Sequence, residues 1–289
     1  MRILIVGLGL IGGSMAKAVK AKTEHRVVGM DLDPATMQSA LKSGAVDAAA
    51  GEEIPPVDLT LLALYPEATV DFIRRHARSL VPGSLVVDLC GVKRYVCEQA
   101  EKLLSGTGVA FLGGHPMAGK AAFGFENAGA DLFEGASMIL TPPPDFSPDL
   151  LNLARSFFLS LGFGGITLTT PERHDEMIAL TSQLAHVVSS AYVQNPNAER
   201  HAGFSAGSFK DMTRVARLNE DMWTELFLRN ADMLTEQTDL LIDRLTDFRD
   251  RIRSGDRAGL RALLKNGREV KERLLAAEQN KGGEGRTDG

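Results

Sequence analysis

A doubly wound, mainly parallel α/β sheet of the Rossmann type, followed by an all-helical region, is the fold class that this sequence predicts. Three observations predict it. Short apolar segments alternate with amphipathic stretches through the first 170 residues. The string Gly7-Leu8-Gly9-Leu10-Ile11-Gly12 falls between the first apolar segment and the first amphipathic one. From Glu172 onward no strand pattern recurs, and long helical patterns replace it.

The strand segments are Arg2–Val6, Arg26–Asp31, Leu59–Leu64, Leu85–Leu89, Val109–Gly113, Ser137–Thr141 and Ile166–Thr169. Most are apolar on both faces, as strands covered by helices on two sides must be. Helical stretches lie between the early ones: Gly12–Lys22, then Pro34–Lys42 stopped by Gly44, then Glu67–Leu80 ahead of Pro82 and Gly83. Beyond Pro171 the helical patterns cover Glu172–Gln194, Phe209–Ala216, Glu220–Ser254 and Arg257–Ala277. Leu226, Met233 and Leu240 recur at heptad spacing, and so do Leu234, Leu241 and Phe248. Two offset stripes mean a helix covered from two sides, either within a bundle or by a second copy of the chain. The expected domains are therefore 1–170 and 171–280. The polar, glycine-rich residues 281–289 are expected to be a disordered tail.

Composition narrows the function classes. With 44% hydrophobic and 24% charged residues, the chain has the balance of a soluble globular protein. A net charge of −5 argues against a nucleic-acid surface, which needs a clustered basic excess. Cys90 and Cys97 form neither a disulfide framework nor paired zinc-ligand spacing. The first strand begins almost at the N-terminus, without signal-peptide character, and no apolar run reaches membrane-spanning length. A cytoplasmic location without a membrane is expected.

The glycine string has the context that its chemistry needs, a strand before it and a helix after it. Gly7 permits the tight turn, Gly9 lets the backbone approach a pyrophosphate, and Gly12 lets helix and sheet pack closely. The backbone of Leu8, Leu10 and Ile11 completes the loop, and helix-start N–H groups face the phosphates. Asp31 ends the second strand nineteen residues beyond Gly12, where a carboxylate binds the adenine ribose hydroxyls and repels a 2′-phosphate. The expected cofactor is NAD rather than NADP. Leu64, Tyr65 and Pro66, at the end of the third strand, are expected along the ribose and nicotinamide.

Strand ends of such a sheet deliver ligands to one crevice. His115 follows the fifth strand in Gly113-Gly114-His115-Pro116-Met117-Ala118-Gly119, expected as a loop, where a base can take a hydroxyl proton as hydride leaves. His186 lies in an otherwise apolar helix, and Arg214 lies in a charged run with Asp211 and Arg217. Alone, each of these two has an ordinary structural explanation.

In combination they are more specific. The strings GLGLIGGS, HPMAG, TSQLAH and FKDMTRVA, in this order, resemble the prephenate dehydrogenase family over nearly the whole chain, from Arg2 to about Leu275. The resemblance implies a Rossmann domain and an all-α domain that forms a homodimer, which favours the interface reading of the stripes. It implies NAD-dependent oxidative decarboxylation of prephenate to 4-hydroxyphenylpyruvate in tyrosine biosynthesis, with no metal. It assigns His115 as base and Arg214 to a substrate carboxylate. It also places His186, Gly207, Trp223 and the loop at Gly91 beside the substrate, in part from the neighbouring subunit.

Two positions depart from the family pattern. Ser-Val-Lys after the fourth strand is Gly91-Val92-Lys93 here, which removes a hydroxyl contact, and the proline before the second histidine is Ala185. Three alternatives stay open. Arogenate could be the substrate, its ammonium met by an acid such as Asp175 or Glu176. The chain could be a β-hydroxyacid dehydrogenase or imine reductase, although these commonly carry lysine or tyrosine at the catalytic point. It could also bind NAD without catalysis.

Overall fold

The computed structural model describes residues 1–284 apart from Glu52 and Ala121. It divides into two compact units, Met1–Leu234 and Thr235–Gly289. The change to all-helical structure near Pro171 therefore falls inside the first unit.

The first unit is built on one eight-stranded sheet. In chain order its strands are β1 (Arg2–Val6), β2 (Arg26–Met30), β3 (Ala48–Ala49), β4 (Leu59–Leu62), β5 (Leu85–Asp88), β6 (Ala110–Pro116), β7 (Ser137–Thr141) and β8 (Gly165–Leu168). Their spatial order is β3-β2-β1-β4-β5-β6-β7-β8, and β1 to β6 pair in parallel. The order reverses beside β1, so the crevice at its C-terminal end is the topological switch point. The side-chain period of two sorts the core into two layers: Ile3 and Ile5 face one side, Leu4 and Val6 the other.

The helices of the first half are α1 (Leu10–Lys22), α2 (Pro34–Lys42), α3 (Pro66–His76), α4 (Arg94–Leu104) and α5 (Pro148–Ser160). Proline stands in the first turn of α2, α3 and α5, where its missing N–H costs nothing. The side chains of Asp33 and Ser147 cap α2 and α5. The two-residue β3 is too short to leave a periodic signal.

One departure shapes the site. β6 pairs with β5 only through Ala110–Leu112, then with antiparallel β7 through Gly113–Pro116. His115 therefore lies on a strand, not in a loop, opposite Ile139 and beyond the last β5 residue. The crossing needs Gly113, because a Cβ there would collide with the Thr141 hydroxyl.

After Pro171 come α6 (Pro171–Ile178), α7 (Leu184–Val193), α8 (Gly207–Thr213) and α9 (Glu220–Leu228). A single π-helical turn, Ala179–Gln183, interrupts the stretch expected as one helix over 172–194. The stretch expected over 220–254 is likewise two helices, α9 and α10 (Ala231–Ser254). Asn230 sits at the break, fully buried, where its amide donates to the Asp175 carbonyl and to Gln183 Oε1 and accepts from Arg94. A buried side chain satisfied on every side fixes where the helix must end.

The second unit holds most of α10 and all of α11 (Arg257–Glu284). Lys281–Glu284, expected in the tail, continue α11, since extending an existing helix costs far less than starting one. Residues 285–289, also expected to be disordered, lie outside the described residues. Among the described residues no helix is long and apolar enough to cross a membrane.

Candidate active site

The glycine loop is built as its spacing implies. Gly7 has φ +82°, and a Cβ on Gly12 would strike the Gly7 carbonyl. Nothing lies within 4 Å of a Cβ placed on Gly9, so the loop is open at the one point where a pyrophosphate must approach. Gly9 caps α1 without a side-chain hydrogen bond, leaving the helix-start N–H groups for an anion. The Leu8 side chain belongs to the core, and its N–H donates to Asp31 Oδ2 at 2.6 Å. Asp31 Oδ1 accepts from Asp33 N–H at 2.9 Å. Two oxygens offer about four acceptor sites, so Asp31 keeps capacity for ribose hydroxyls. This loop fits a dinucleotide.

From the loop opens a cleft of about 670 Å³, lying entirely within the first unit. Gly9, Leu10, Ile11, Leu64, Tyr65 and Pro66 line it together with Gly91, His115, His186, Arg214 and Trp223. Sequence-predicted cofactor and substrate residues thus share one space. Gly7, Leu8, Gly12 and Asp31 support its edge. Gly207, exposed at the start of α8, is not among the lining.

His115 reaches the cleft from the end of β6. Its Nδ1 lies 2.8 Å from His174 Nε2, and His174 Nδ1 lies 2.7 Å from Asp175 Oδ1. Asp175, fully buried, also accepts from the backbone N–H groups of Lys93 and Arg94 at 2.7 and 2.9 Å. Burial, with His174 and Lys93 nearby, holds His115 well below the ordinary imidazole range, so it stands neutral. Asp175, fully buried, is not among the lining of the cleft and so is out of reach of a substrate ammonium, and Glu176 pairs with Arg173 on the surface. The acids considered as arogenate partners are both committed elsewhere.

Beneath the site Lys93, without solvent exposure, pairs with buried Asp88. Asp88 also accepts from Cys90 and Gly114 N–H groups at 3.1 and 3.2 Å. Cys90 lines the cleft, but burial and Asp88 push its thiol up, away from thiolate character.

The helical side closes over this floor. His186, one π turn beyond α6, stacks on Trp223 with ring centroids 3.7 Å apart, and its Nδ1 donates to the Ser182 carbonyl at 2.9 Å. Burial lowers the His186 pKa, and Arg214 adds to the effect. Arg214 and Arg217 make no ion pair among the described residues, which leaves both guanidinium groups for anions. Glu225 accepts from Glu67 N–H at 2.6 Å, tying α9 to the start of α3. Leu226 follows it into the cleft and packs against Gly91: a Cβ there would lie 3.2 Å from its Cδ2.

Sequence reasoning missed Lys93, His174 and Arg217 as site residues. The pair His174-Asp175, just after the Thr170-Pro171 helix start, was a signal, but only the fold brings it behind His115.

Fold and site together define the class: an oxidoreductase that uses NAD. Residues 15–164 match the prephenate dehydrogenase nucleotide-binding domain, and residues 170–266 match the prephenate dehydrogenase dimerization domain. This chain belongs to the prephenate dehydrogenase family. It is 30% identical over 282 residues to a prephenate dehydrogenase of Lactococcus lactis, covering 94% of this chain and 77% of that one. The crystal structure of Synechocystis arogenate dehydrogenase superimposes with a TM-score of 0.80 at 28% identity, over 95% of this chain and all of that one. That of Aquifex aeolicus prephenate dehydrogenase in complex with hydroxyphenyl propionate and NAD+ gives 0.83 at 26% identity, over 95% and 98%.

Proposed function

We propose that this chain oxidatively decarboxylates prephenate to 4-hydroxyphenylpyruvate. One observation carries the reading. The cleft joins the dinucleotide loop to His115, His186, Lys120, Arg214 and Arg217, and no carboxylate is among its described lining residues. Such a lining suits a dianion with a keto side chain, and offers no carboxylate to the ammonium of arogenate.

When bound, NAD accepts the hydride from the ring carbon that bears the hydroxyl. His115 takes the hydroxyl proton on Nε2, for which a neutral imidazole is required. Arg214 clamps a substrate carboxylate with its planar fork, and Arg217 lies within the same lining for the second anion. His186, held flat by Trp223, presents Nε2 beside Arg214. Carbon dioxide leaves because its loss makes the ring aromatic, so the protein need only orient that carboxylate across the ring. With glycine at position 91 that position offers the hydroxyl no side chain, and the proton falls to His115 on β6.

We also infer a homodimer formed through the helical region, acting in the cytoplasm. Exposed Leu240, Ile242, Leu245 and Ile252 on α10 support the first, and two free cysteines the second. In that dimer Gly207 serves the neighbouring copy's cleft. Arogenate oxidation is the second reading, favoured by the Synechocystis likeness. The test is an assay of the purified chain with prephenate and NAD. Formation of NADH with 4-hydroxyphenylpyruvate in equal amounts is expected; absence of both would overturn the proposal.

A further inference from the structure

We propose that His174 and Asp175 are positioning residues that lock His115 in the Nδ1–H tautomer, so that its bare Nε2 faces the substrate hydroxyl. The inference rests on the reading of His115 as the base.

The donor and acceptor pattern dictates the tautomer in three steps. The Asp175 oxygens accept from the N–H groups of Lys93 and Arg94 at the start of α4, which fixes the carboxylate in place. Its Oδ1 also lies 2.7 Å from His174 Nδ1, so His174 carries its proton there. Burial keeps His174 neutral, which leaves Nε2 as a lone pair. That lone pair lies 2.8 Å from His115 Nδ1 and can only accept, so His115 carries its own proton on Nδ1. Nε2 of His115 is left unprotonated at the cleft. A neutral imidazole in solution has no such constraint.

The arrangement also places the charge that catalysis makes. As the substrate O–H bond breaks, its electron pair becomes the new C=O, and hydride leaves the same carbon for bound NAD. The proton forms a bond to His115 Nε2. The resulting imidazolium donates from Nδ1 to His174, whose far side already donates to Asp175, so the positive charge faces a carboxylate through one ring. Buried Lys93 opposes that charge, but Asp88 is paired with it. Cys97, facing the same floor, has its thiol pushed up to about 12 by burial and adds no charge.

The test uses the full-length protein with 15N-labelled histidine. In long-range 1H–15N spectra without substrate, His115 of the wild type is expected as the Nδ1–H tautomer. H174Q keeps an acceptor for His115 and a donor for Asp175, so the tautomer stays and kcat remains within about fivefold. H174L removes both, so the tautomer shifts towards Nε2–H and kcat falls about 10- to 100-fold, as for an outer partner of a positioned base, with KM for prephenate little changed. An Nε2–H tautomer in the wild type overturns the proposal, as does an H174Q protein in which the tautomer moves, or an H174L protein with kcat unchanged. Absence of prephenate turnover in the wild type would instead overturn the proposed function, because the spectrum is read without substrate.

Discussion

His186 lies flat against Trp223, ring centroid to ring centroid 3.7 Å, a contact that joins α7 to α9 in the lining of the cleft. Neither residue signals the other in sequence, since 37 positions separate them. The stack, with the Ser182 carbonyl on Nδ1, leaves His186 a single free nitrogen beside Arg214. A stacked aromatic pair contributes about 0.5–1.5 kcal/mol beyond its buried area. Trp223→Leu should therefore raise KM for prephenate by about two- to tenfold with kcat nearly unchanged. Steady-state kinetics check this, and a fall in kcat at constant KM would show that the stack serves the reacting atoms instead.

His115→Asn should lose about 10²–10⁴-fold in kcat, the usual contribution of a positioned base, while NAD affinity stays within error. Calorimetric titration of NAD into the variant separates the two effects. Near-normal turnover would remove His115 from the base role.

Arg214→Ala should raise KM for prephenate strongly, about 10- to 100-fold, because a charge-assisted bidentate contact is lost. Arg217→Ala should do less, as it stands further along the chain from the α8 end. An unchanged KM for Arg214→Ala would mean that the carboxylate clamp lies elsewhere.

Lys93 and Asp88 form a pair with no solvent on either side chain. Lys93→Met leaves a buried carboxylate uncompensated and should lower stability by about 3–5 kcal/mol, whereas Asp88→Leu with Lys93→Met should recover much of it. Urea unfolding of the two variants measures both. A single variant as stable as the wild type would show that the pair contributes nothing to the floor of the site.

Acid should destabilise the protein through its buried histidines. Burial lowers the pKa of His115, His174 and His186 in the folded chain, and of His25 and His76 also. The unfolded chain binds protons first, near the ordinary value of about 6.5. Stability is therefore fully present above that pH and is lost as pH falls through it towards the lowered values. Urea midpoints at pH 7.5, 6.5 and 5.5 should decrease in that order; a midpoint that rises on acidification would contradict the burial of these rings.

The parallel sheet was legible because its strands are short apolar runs with glycine and proline between them, and Gly7 to Gly12 fixed the loop. The turn of β6 from a parallel to an antiparallel partner was not, because Gly113 and Gly114 permit the crossing without announcing it. The helix break at Asn230 was hidden for a related reason. Heptad spacing runs straight through it, while the hydrogen bonds that stop the helix come from α6 and the π turn. Among site residues, His115, His186 and Arg214 were found through strings specific to a family. His174 sat in view beside Asp175, and that acid read as a candidate for an ammonium. Its three hydrogen bonds to α4 and His174 exist only in the fold and give it a different task.

The central claim is that a cationic cleft with no carboxylate among its described lining residues selects the keto acid over the amino acid on the same ring. NADH formation by the wild type with prephenate and with L-arogenate, side by side, tests it most directly. A kcat/KM for prephenate at least about tenfold higher is expected, the worth of roughly 1.4 kcal/mol for one unpaired ammonium. Equal values, or a preference for L-arogenate, would contradict it.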